Sequence, residues 1–216
     1  MRLDVFTLIP DAFAWLRERR PVAAVLGSEL DLRIFNYRDS TPLTAGQVDD
    51  EPYGGGPGMV LRVDVVAAGL DAVYGAVPEH RVVALTPGGR QLHQNLVEEL
   101  AAEPALTLLS ARFEGFDQRI VEHLCTDEIS IGPYVLSGGE IPALAVVDAV
   151  VRRLPGALTE GSGEIESFSH ALGGGLEYPH YTRPAEFRGW EVPEILLSGD
   201  HGRIDEWRRE RVRSVT

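Results

Sequence analysis

The run Ile131-Gly132-Pro133-Tyr134-Val135-Leu136-Ser137-Gly138-Gly139-Glu140 joins a short β-type segment, Asp127 to Ser130, to an apolar, Ala- and Val-rich helical stretch, Ile141 to Arg153. Two units of the same kind precede it. Arg81-Val-Val-Ala-Leu-Thr86 runs into Pro87-Gly88-Gly89-Arg90, and Ala105-Leu-Thr-Leu-Leu-Ser110 runs into Ala111-Arg112-Phe113-Glu114-Gly115. Each is a buried-looking strand that ends in a turn of small residues. In an open parallel sheet, ligands bind in the crevice outside the carboxyl ends of the strands. Glycine in such turns lets backbone N–H and C=O groups approach a flat ligand with no Cβ in the way. The three turns are therefore expected to form three walls of one small-molecule pocket, which is an enzyme's layout.

Outward from this centre, strands and helices alternate from Arg81 to Arg153, the pattern of a parallel α/β sheet. Leu3 to Ile9 is β-rich, and Pro10-Asp11 opens a helical stretch that Pro21 is expected to break. Asp31 to Tyr37 is a second predicted strand and Arg62 to Gly75 a helix. Between them lies a long polar loop, Arg38 to Gly58. Thr159 to Gly175 has linker composition with Phe168 embedded in it. A turn-rich, aromatic segment, Leu176 to Pro184, follows, and a final helix is expected from about Arg203. No internal repeat is evident.

The totals exclude several classes. The 216 residues fit one substantial domain with a small appendage. A chain of this length buries roughly 70% of its unfolded surface, so it needs neither disulfide nor metal staple. Cys125 is the single cysteine, which makes a reducing, cytoplasmic location the default. The charged N-terminus does not resemble a signal peptide, and no stretch has the length of a membrane span. The net charge of −13 opposes indiscriminate binding to phosphates. That charge is unevenly spread: His201 to Thr216 carries +2 and the remainder −15. A basic terminal helix on an acidic body suits either an RNA-contacting face or a simply solvated one.

Other candidate chemistry is weaker. Tyr53-Gly54-Gly55-Gly56-Pro57-Gly58-Met59 lacks both the Gly-Lys-Ser/Thr ending of a phosphate loop and the spacing of a dinucleotide fingerprint. It is better suited to close backbone packing or to lining a cleft. In Arg112 to Arg119, Asp117 is placed to cap a helix and Glu114 to accept hydrogen bonds from a ligand. Arg152 and Arg153 end a helix, where cations suit the dipole. Glu164 and Glu166 lie in the linker. The six histidines show no metal-ligand spacing, so no metal site is assigned.

Five stretches taken together resemble the bacterial tRNA (guanine-N1-)-methyltransferase family, whose members methylate N1 of the guanosine at position 37, beside the anticodon. They are Val48-Asp-Asp-Glu-Pro-Tyr-Gly-Gly-Gly-Pro-Gly-Met59, Arg112-Phe-Glu-Gly-Phe-Asp-Gln-Arg119, Ile129-Ser-Ile-Gly-Pro-Tyr-Val-Leu-Ser-Gly-Gly-Glu140, Pro179-His-Tyr-Thr-Arg-Pro184 and Pro193-Glu-Ile-Leu-Leu-Ser-Gly-Asp-His201. They span nearly the whole chain, in the family's order. The resemblance implies an α/β fold of the trefoil-knotted SPOUT type with a short helical C-terminal extension. It divides the chain into a methyltransferase domain (1–158), a flexible linker (159–175) and a curtailed tRNA-binding segment (176–216).

By the same resemblance the cofactor is S-adenosylmethionine. It would be held by Leu85, Thr86, Pro87 and Gly88, by Ala111, Phe113, Glu114 and Gly115, and by Ile131, Gly132, Pro133, Tyr134, Val135 and Leu136 with Gly138 and Gly139. The general base maps onto Glu166, with Glu164 as the fallback, and the stabiliser of charge at O6 maps onto Arg152. The family is further associated with Mg²⁺, with the tRNA anticodon loop, and with a homodimer whose active site lies at the subunit interface. Glu166 stands where the family has aspartate, Ala111 where glycine is common and Pro133 where aspartate is common. Thr44-Ala45-Gly46-Gln47 replaces a histidine and a basic residue. These departures bear more on tRNA affinity than on cofactor binding. A non-catalytic binder that retains the cofactor pocket, or an enzyme acting on another atom or RNA, stays open.

Overall fold

A computed structural model describes residues 1–163 and 165–214. The chain divides into two compact units, Met1–Leu158 and Thr159–Thr216. The first contains β1 (Arg2–Thr7), α1 (Ala14–Glu18), α2 (Val22–Val25), β2 (Asp31–Asn36), β3 (Asp49–Asp50), β4 (Val60–Leu61) and α3 (Val63–Tyr74). These are followed by β5 (Arg81–Gln91), α4 (Gln94–Ala101), β6 (Ala105–Ser110), α5 (Gln118–Leu124), β7 (Asp127–Ser130) and α6 (Glu140–Val151). The second contains β8 (Glu186–Phe187), β9 (Trp190–Glu191), α7 (Glu194–Leu197) and α8 (His201–Glu210).

The sheet of the first unit has the order β2-β1-β6-β5-β7, and every pairing in it is parallel. Its central strands carry the buried, mostly apolar runs that a sheet covered on both faces requires, Val82 to Leu85 in β5 and Ala105 to Ser110 in β6. Side chains alternate across a strand, and β1 shows the result. Leu3 and Val5 join a core completed by Leu16, Leu96, Leu100 and Val146 from the helices on one face. Phe6 joins the opposite core with Val65, Leu70 and Ile120. This arrangement is the α/β fold with a parallel sheet that the sequence pattern predicts, and α8 supplies a helix in the C-terminal part.

Local signals account for several boundaries. Gly75 closes α3 in the left-handed conformation, φ 79°, where a side chain would be strained. Asp117 caps α5 by accepting the Arg119 N–H at 3.0 Å. The helical stretch after Pro10 breaks before Pro21 into a 3₁₀ turn, α1 and α2.

Other expectations are corrected. Pro87 to Arg90 is not a turn: β5 continues to Gln91, with a register shift against β7 between Leu85 and Arg90. The reason is packing, because any Cβ on Gly89 would overlap the backbone of Glu128 and Ile129. The long loop after β2 is partly ordered by β3 pairing with β4. In the second unit, a Phe187–Trp190 hairpin and α7 precede the terminal helix.

Among the described residues, no helix is long and apolar enough to cross a membrane.

Candidate active site

Leu85, Thr86 and Pro87 of β5, at the register shift against β7, converge with the loops after β6 and β7 on one cavity of about 130 Å³. Its lining includes all the residues expected to hold a cofactor except Gly88 and Pro133. Gly88 is turned toward β7, where a Cβ would lie 3.8 Å from Glu128 Oε1. Pro133 stands exposed at the tip of its loop. Arg112, Phe116, Ile129, Ser130 and Pro142 complete the wall. Most of this surface is apolar or neutral, and among the described residues Arg112 and Glu114 are its only charged side chains.

Short-range bonds shape the loop after β7. Ser130 Oγ donates to the Gly132 carbonyl at 3.0 Å and lies 3.2 Å from the Gly132 N–H, which donates to it. Tyr134 Oη donates to the Ile131 carbonyl at 3.2 Å, so its ring folds back over Gly132. The end of the loop is clamped to β6. Gly139 donates its N–H to the Ala111 carbonyl at 2.7 Å, and Ser110 Oγ donates to the Gly139 carbonyl at 3.1 Å. A Cβ on Gly139 would lie 2.7 Å from Ser110 Cα, closer than real contacts allow. Glycine is required there by the backbone of β6.

The middle wall is held from the other side. Glu114 donates its N–H to the Met59 carbonyl at 2.9 Å, and Leu61 donates to the Gly115 carbonyl at 3.0 Å. Gly58 of the glycine cluster thereby serves close packing: a Cβ there would collide with the Glu114 carboxylate, whereas Gly54, Gly55 and Gly56 face open space. Between Arg112 and Glu114, Phe113 adopts φ 62°, a left-handed backbone that is uncommon for a non-glycine residue and clusters at functional sites. Its ring is half exposed, at 46%.

Beneath the pocket sits Glu140, the first residue of α6 and only 5% exposed. Its Oε1 accepts from Thr7 Oγ1 at 2.9 Å and its Oε2 from Arg112 at 3.2 Å. The motif ending in Gly138-Gly139-Glu140 thus ties together β1, the loop after β6 and α6. The expected site residues passed over Arg112, although it lies between two of them. Its neighbours explain the omission, since an arginine beside a strand end is usually solvated.

The whole chain, residues 1–216, matches the model of a protein family described as tRNA (Guanine-1)-methyltransferase TrmD. The chain belongs to this family. Relatives named tRNA (guanine-N(1)-)-methyltransferase include one from Brevibacillus brevis, 49% identical over 210 residues, covering 96% of this chain and 85% of the relative. One from Exiguobacterium sibiricum is 47% identical over 214 residues, covering 98% and 86%. One from Dehalococcoides mccartyi is 46% identical over 213 residues, covering 97% and 85%.

The two residues that the family motifs point to for proton transfer and charge stabilisation do not line the cavity. Arg152, in the first unit, is the C-cap of α6 and donates its backbone N–H to the Asp148 carbonyl at 3.1 Å. Glu166, in the second unit, is half-buried and opens a turn in which the Ser169 N–H donates to its carbonyl at 3.0 Å. That turn is well tied. The Phe168 N–H donates to the Gly175 carbonyl at 2.7 Å, and the Glu177 N–H donates to Ser167 Oγ at 3.0 Å. Phe168 itself has φ 70° and a half-exposed ring. Glu164 lies outside the described residues. Among those described, no group of three or more His, Cys, Asp or Glu side chains is placed to hold a metal ion.

Proposed function

We propose that this protein transfers a methyl group from S-adenosylmethionine to N1 of the guanosine at position 37 of tRNA. The observation that supports it most is the convergence of the middle of β5 and the loops after β6 and β7 on one cavity with an apolar wall and one charged edge. That donor set suits S-adenosylmethionine: a flat adenine can lie among Leu85, Ile131, Leu136 and the backbone of Gly132, and the polar end meets Arg112 and Glu114. When bound, the cofactor supplies the electrophilic methyl group. Family membership and the names of the relatives support the substrate class.

The chain's own residues have three tasks. N1 of guanine carries a proton at neutral pH, so its lone pair becomes available for the new N–C bond only as that proton leaves. The Glu166 carboxylate takes it as general base. The electrons of the N1–H bond then spread toward O6, and the Arg152 guanidinium stabilises the charge there. The three walls hold the donor and N1 in line, which is a matter of proximity and orientation. The target base leaves the stack of the anticodon loop to reach this site. Glu166 and Arg152 belong to different units, and the family's homodimer would bring Glu166 of one protomer to the pocket of its partner. Trefoil threading of the loops and a cytoplasmic location belong to the same proposal. Mg²⁺, which the resemblance associates with the family, has no group of three or more His, Cys, Asp or Glu side chains placed to hold it among the described residues.

The test is transfer from labelled S-adenosylmethionine to an unmodified tRNA transcript bearing guanosine at position 37, followed by nucleoside analysis. The expected product is 1-methylguanosine. Glu166→Gln should lower turnover by roughly 10²- to 10⁴-fold, the usual worth of a positioned base, with cofactor affinity unchanged. Full activity in that variant removes Glu166 from the mechanism. Cofactor binding without transfer to any tRNA turns the assignment toward a non-catalytic binder.

A further inference from the structure

The turn that carries Glu166 is fastened to the chain that follows it. Its own closing bond runs from the Ser169 N–H to the Glu166 carbonyl at 3.0 Å. The Phe168 N–H donates to the Gly175 carbonyl at 2.7 Å, and Ser167 Oγ accepts the Glu177 N–H at 3.0 Å. The loop between these anchors is closed by backbone alone. Leu172 and Gly174 donate to the Ser169 carbonyl at 3.1 and 3.0 Å, and Gly175 donates to the Leu172 carbonyl at 3.0 Å. Phe168 lies in the left-handed region at φ 70°. A non-glycine residue keeps such a conformation only where its surroundings over-determine it.

The anchor segment is itself held by the residues that follow α8. Leu176 and Arg213 form an antiparallel bridge. Leu176 donates its N–H to the Arg213 carbonyl at 2.7 Å, and Arg213 donates its N–H to the Leu176 carbonyl at 3.2 Å. Gly175 presses against this seam. A Cβ there would stand 2.9 Å from both the Arg213 carbonyl oxygen and Val212 Cγ1. The φ of Gly175 lies outside the left-handed region, so close packing and not backbone conformation excludes a side chain. The base of the seam is seated by α8, where Trp207 is only 8% exposed, Tyr181 meets its ring edge-on at 6.3 Å and Arg208 lies over Tyr178 at 5.1 Å. Every one of these contacts lies within the second unit.

We infer that the seam between Leu176 and Arg213, with Gly175 packed against it, positions Glu166 for proton transfer. Gly175 and Arg213 act through backbone, from the seam to the Gly175 carbonyl, on to Phe168 and so to the turn that Glu166 opens. They are positioning residues, and the inference rests on the proposal that Glu166 is the general base. A base must come within hydrogen-bond reach of the proton it takes, and an error of about an ångström can cost roughly a hundredfold in rate. A carboxylate on a turn braced from two sides meets that demand without being reordered in each turnover.

The experiment is a double-mutant cycle on the full chain, read as single-turnover methyl transfer to an unmodified tRNA transcript at saturating S-adenosylmethionine. Its members are wild type, Gly175→Ala, Glu166→Gln and the double variant. Gly175→Ala forces the seam apart by a fraction of an ångström, and its rate should fall by roughly 10- to 100-fold. Affinity for S-adenosylhomocysteine should stay within about twofold, because the cavity belongs to the first unit. On top of Glu166→Gln the same substitution should cost less than about threefold, since a base already removed cannot be misplaced. A second pair guards against misfolding of Gly175→Ala. Arg213→Pro removes the N–H that donates across the seam, and Arg213→Ala removes the same charge but keeps that N–H. The proline variant should be slower than the alanine variant by roughly two- to tenfold, the worth of one hydrogen bond. A wild-type rate in Gly175→Ala, equal rates in the Arg213 pair, or a Gly175→Ala loss that adds in full to that of Glu166→Gln overturns the positioning role. Full activity in Glu166→Gln alone overturns the base assignment on which it rests.

Discussion

Two buried carboxylates sit at opposite ends of the same sheet, and they are used differently. Toward the amino ends of the strands, Asp4 of β1 is fully buried. It takes a bidentate pair from Arg33 at 2.7 and 2.6 Å, a hydrogen bond from Tyr74 Oη and an ion pair with Arg2 at 3.4 Å. At the carboxyl ends, Glu140 takes one bond from Thr7 and one from Arg112. The Asp4 cluster is closed on itself. In the Glu140 cluster the outer partner, Arg112, also lines the cavity. A buried charge needs pairing wherever it lies. Whether the pair stabilises or serves a ligand depends on whether its outer partner faces protein or a pocket. The Glu140 pair lies beside the cavity, whereas Tyr74 of α3 and His80 of the segment before β5 close over the Asp4 pair.

The Asp4 cluster also has a fixed direction. The Arg2 guanidinium can only donate, so His80 Nδ1, 3.3 Å away, accepts. His80 Nε2 then carries the proton and donates to Thr107 Oγ1 at 2.8 Å. Thr107 donates to Tyr74 Oη at 2.8 Å, and Tyr74 donates to Asp4. Burial and the Asp4 hydrogen bond hold the Tyr74 phenol well above its ordinary range. Burial and the neighbouring Arg2 lower the His80 pKa, which favours the neutral ring the chain requires.

The sharpest way to test this contrast is Asp4→Asn, which leaves Arg33 and Arg2 without their counter-charge. It should cost about 3 kcal/mol, toward the lower end for breaking a buried pair because both arginines are partly exposed, in urea denaturation. Affinity for S-adenosylhomocysteine should stay within about twofold of wild type. Equal damage to binding would mean that the two ends are not separable. Gly139→Ala should behave in the opposite way. Its Cβ meets the backbone of β6, so the loop after β7 must shift, and affinity should fall by at least about tenfold with a smaller change in denaturation midpoint. The smallest effect expected is that of pH. Because the His80 pKa is lowered in the fold, the unfolded chain binds the proton more readily. The stability His80 contributes is complete above about pH 6.5 and declines as pH falls below that. His80→Gln should therefore show a flatter thermal midpoint between pH 8 and 5.5 than wild type. Asp127, held down to about 2 chiefly by its bond with Arg81, contributes above about pH 4 and is lost only as pH falls toward 2, outside that window.

Two walls of the cavity were legible in the sequence, because each is a local event: β6 or β7, then a turn of small residues. The caps at Gly75 and Asp117 were equally local. Pro87-Gly88-Gly89 misled because glycine marks close backbone approach as well as turns, and here Gly89 lies against β7. The Phe187–Trp190 hairpin carried a usable signal in Arg188-Gly189, both with positive φ, but two-residue strands are too short for periodicity to reveal. Arg112 was missed because nothing near it in sequence says that Glu140, a helix residue 28 positions on, turns it toward the cavity.

The amino-acid sequence by itself determined the alternation of strands and helices, the two-faced apolar pattern of β1 and the small-residue turns that become the pocket. These follow from backbone preferences and side-chain periodicity over a few residues. Only the tertiary structure decided which charges are closed and which are open. Asp4 with Arg33, Tyr74 and His80, and Glu140 with Thr7 and Arg112, are partners brought together from distant parts of the chain by the parallel packing of β1, β6 and β5. What such a pair does depends on the space beyond it, and that space exists only in the folded protein.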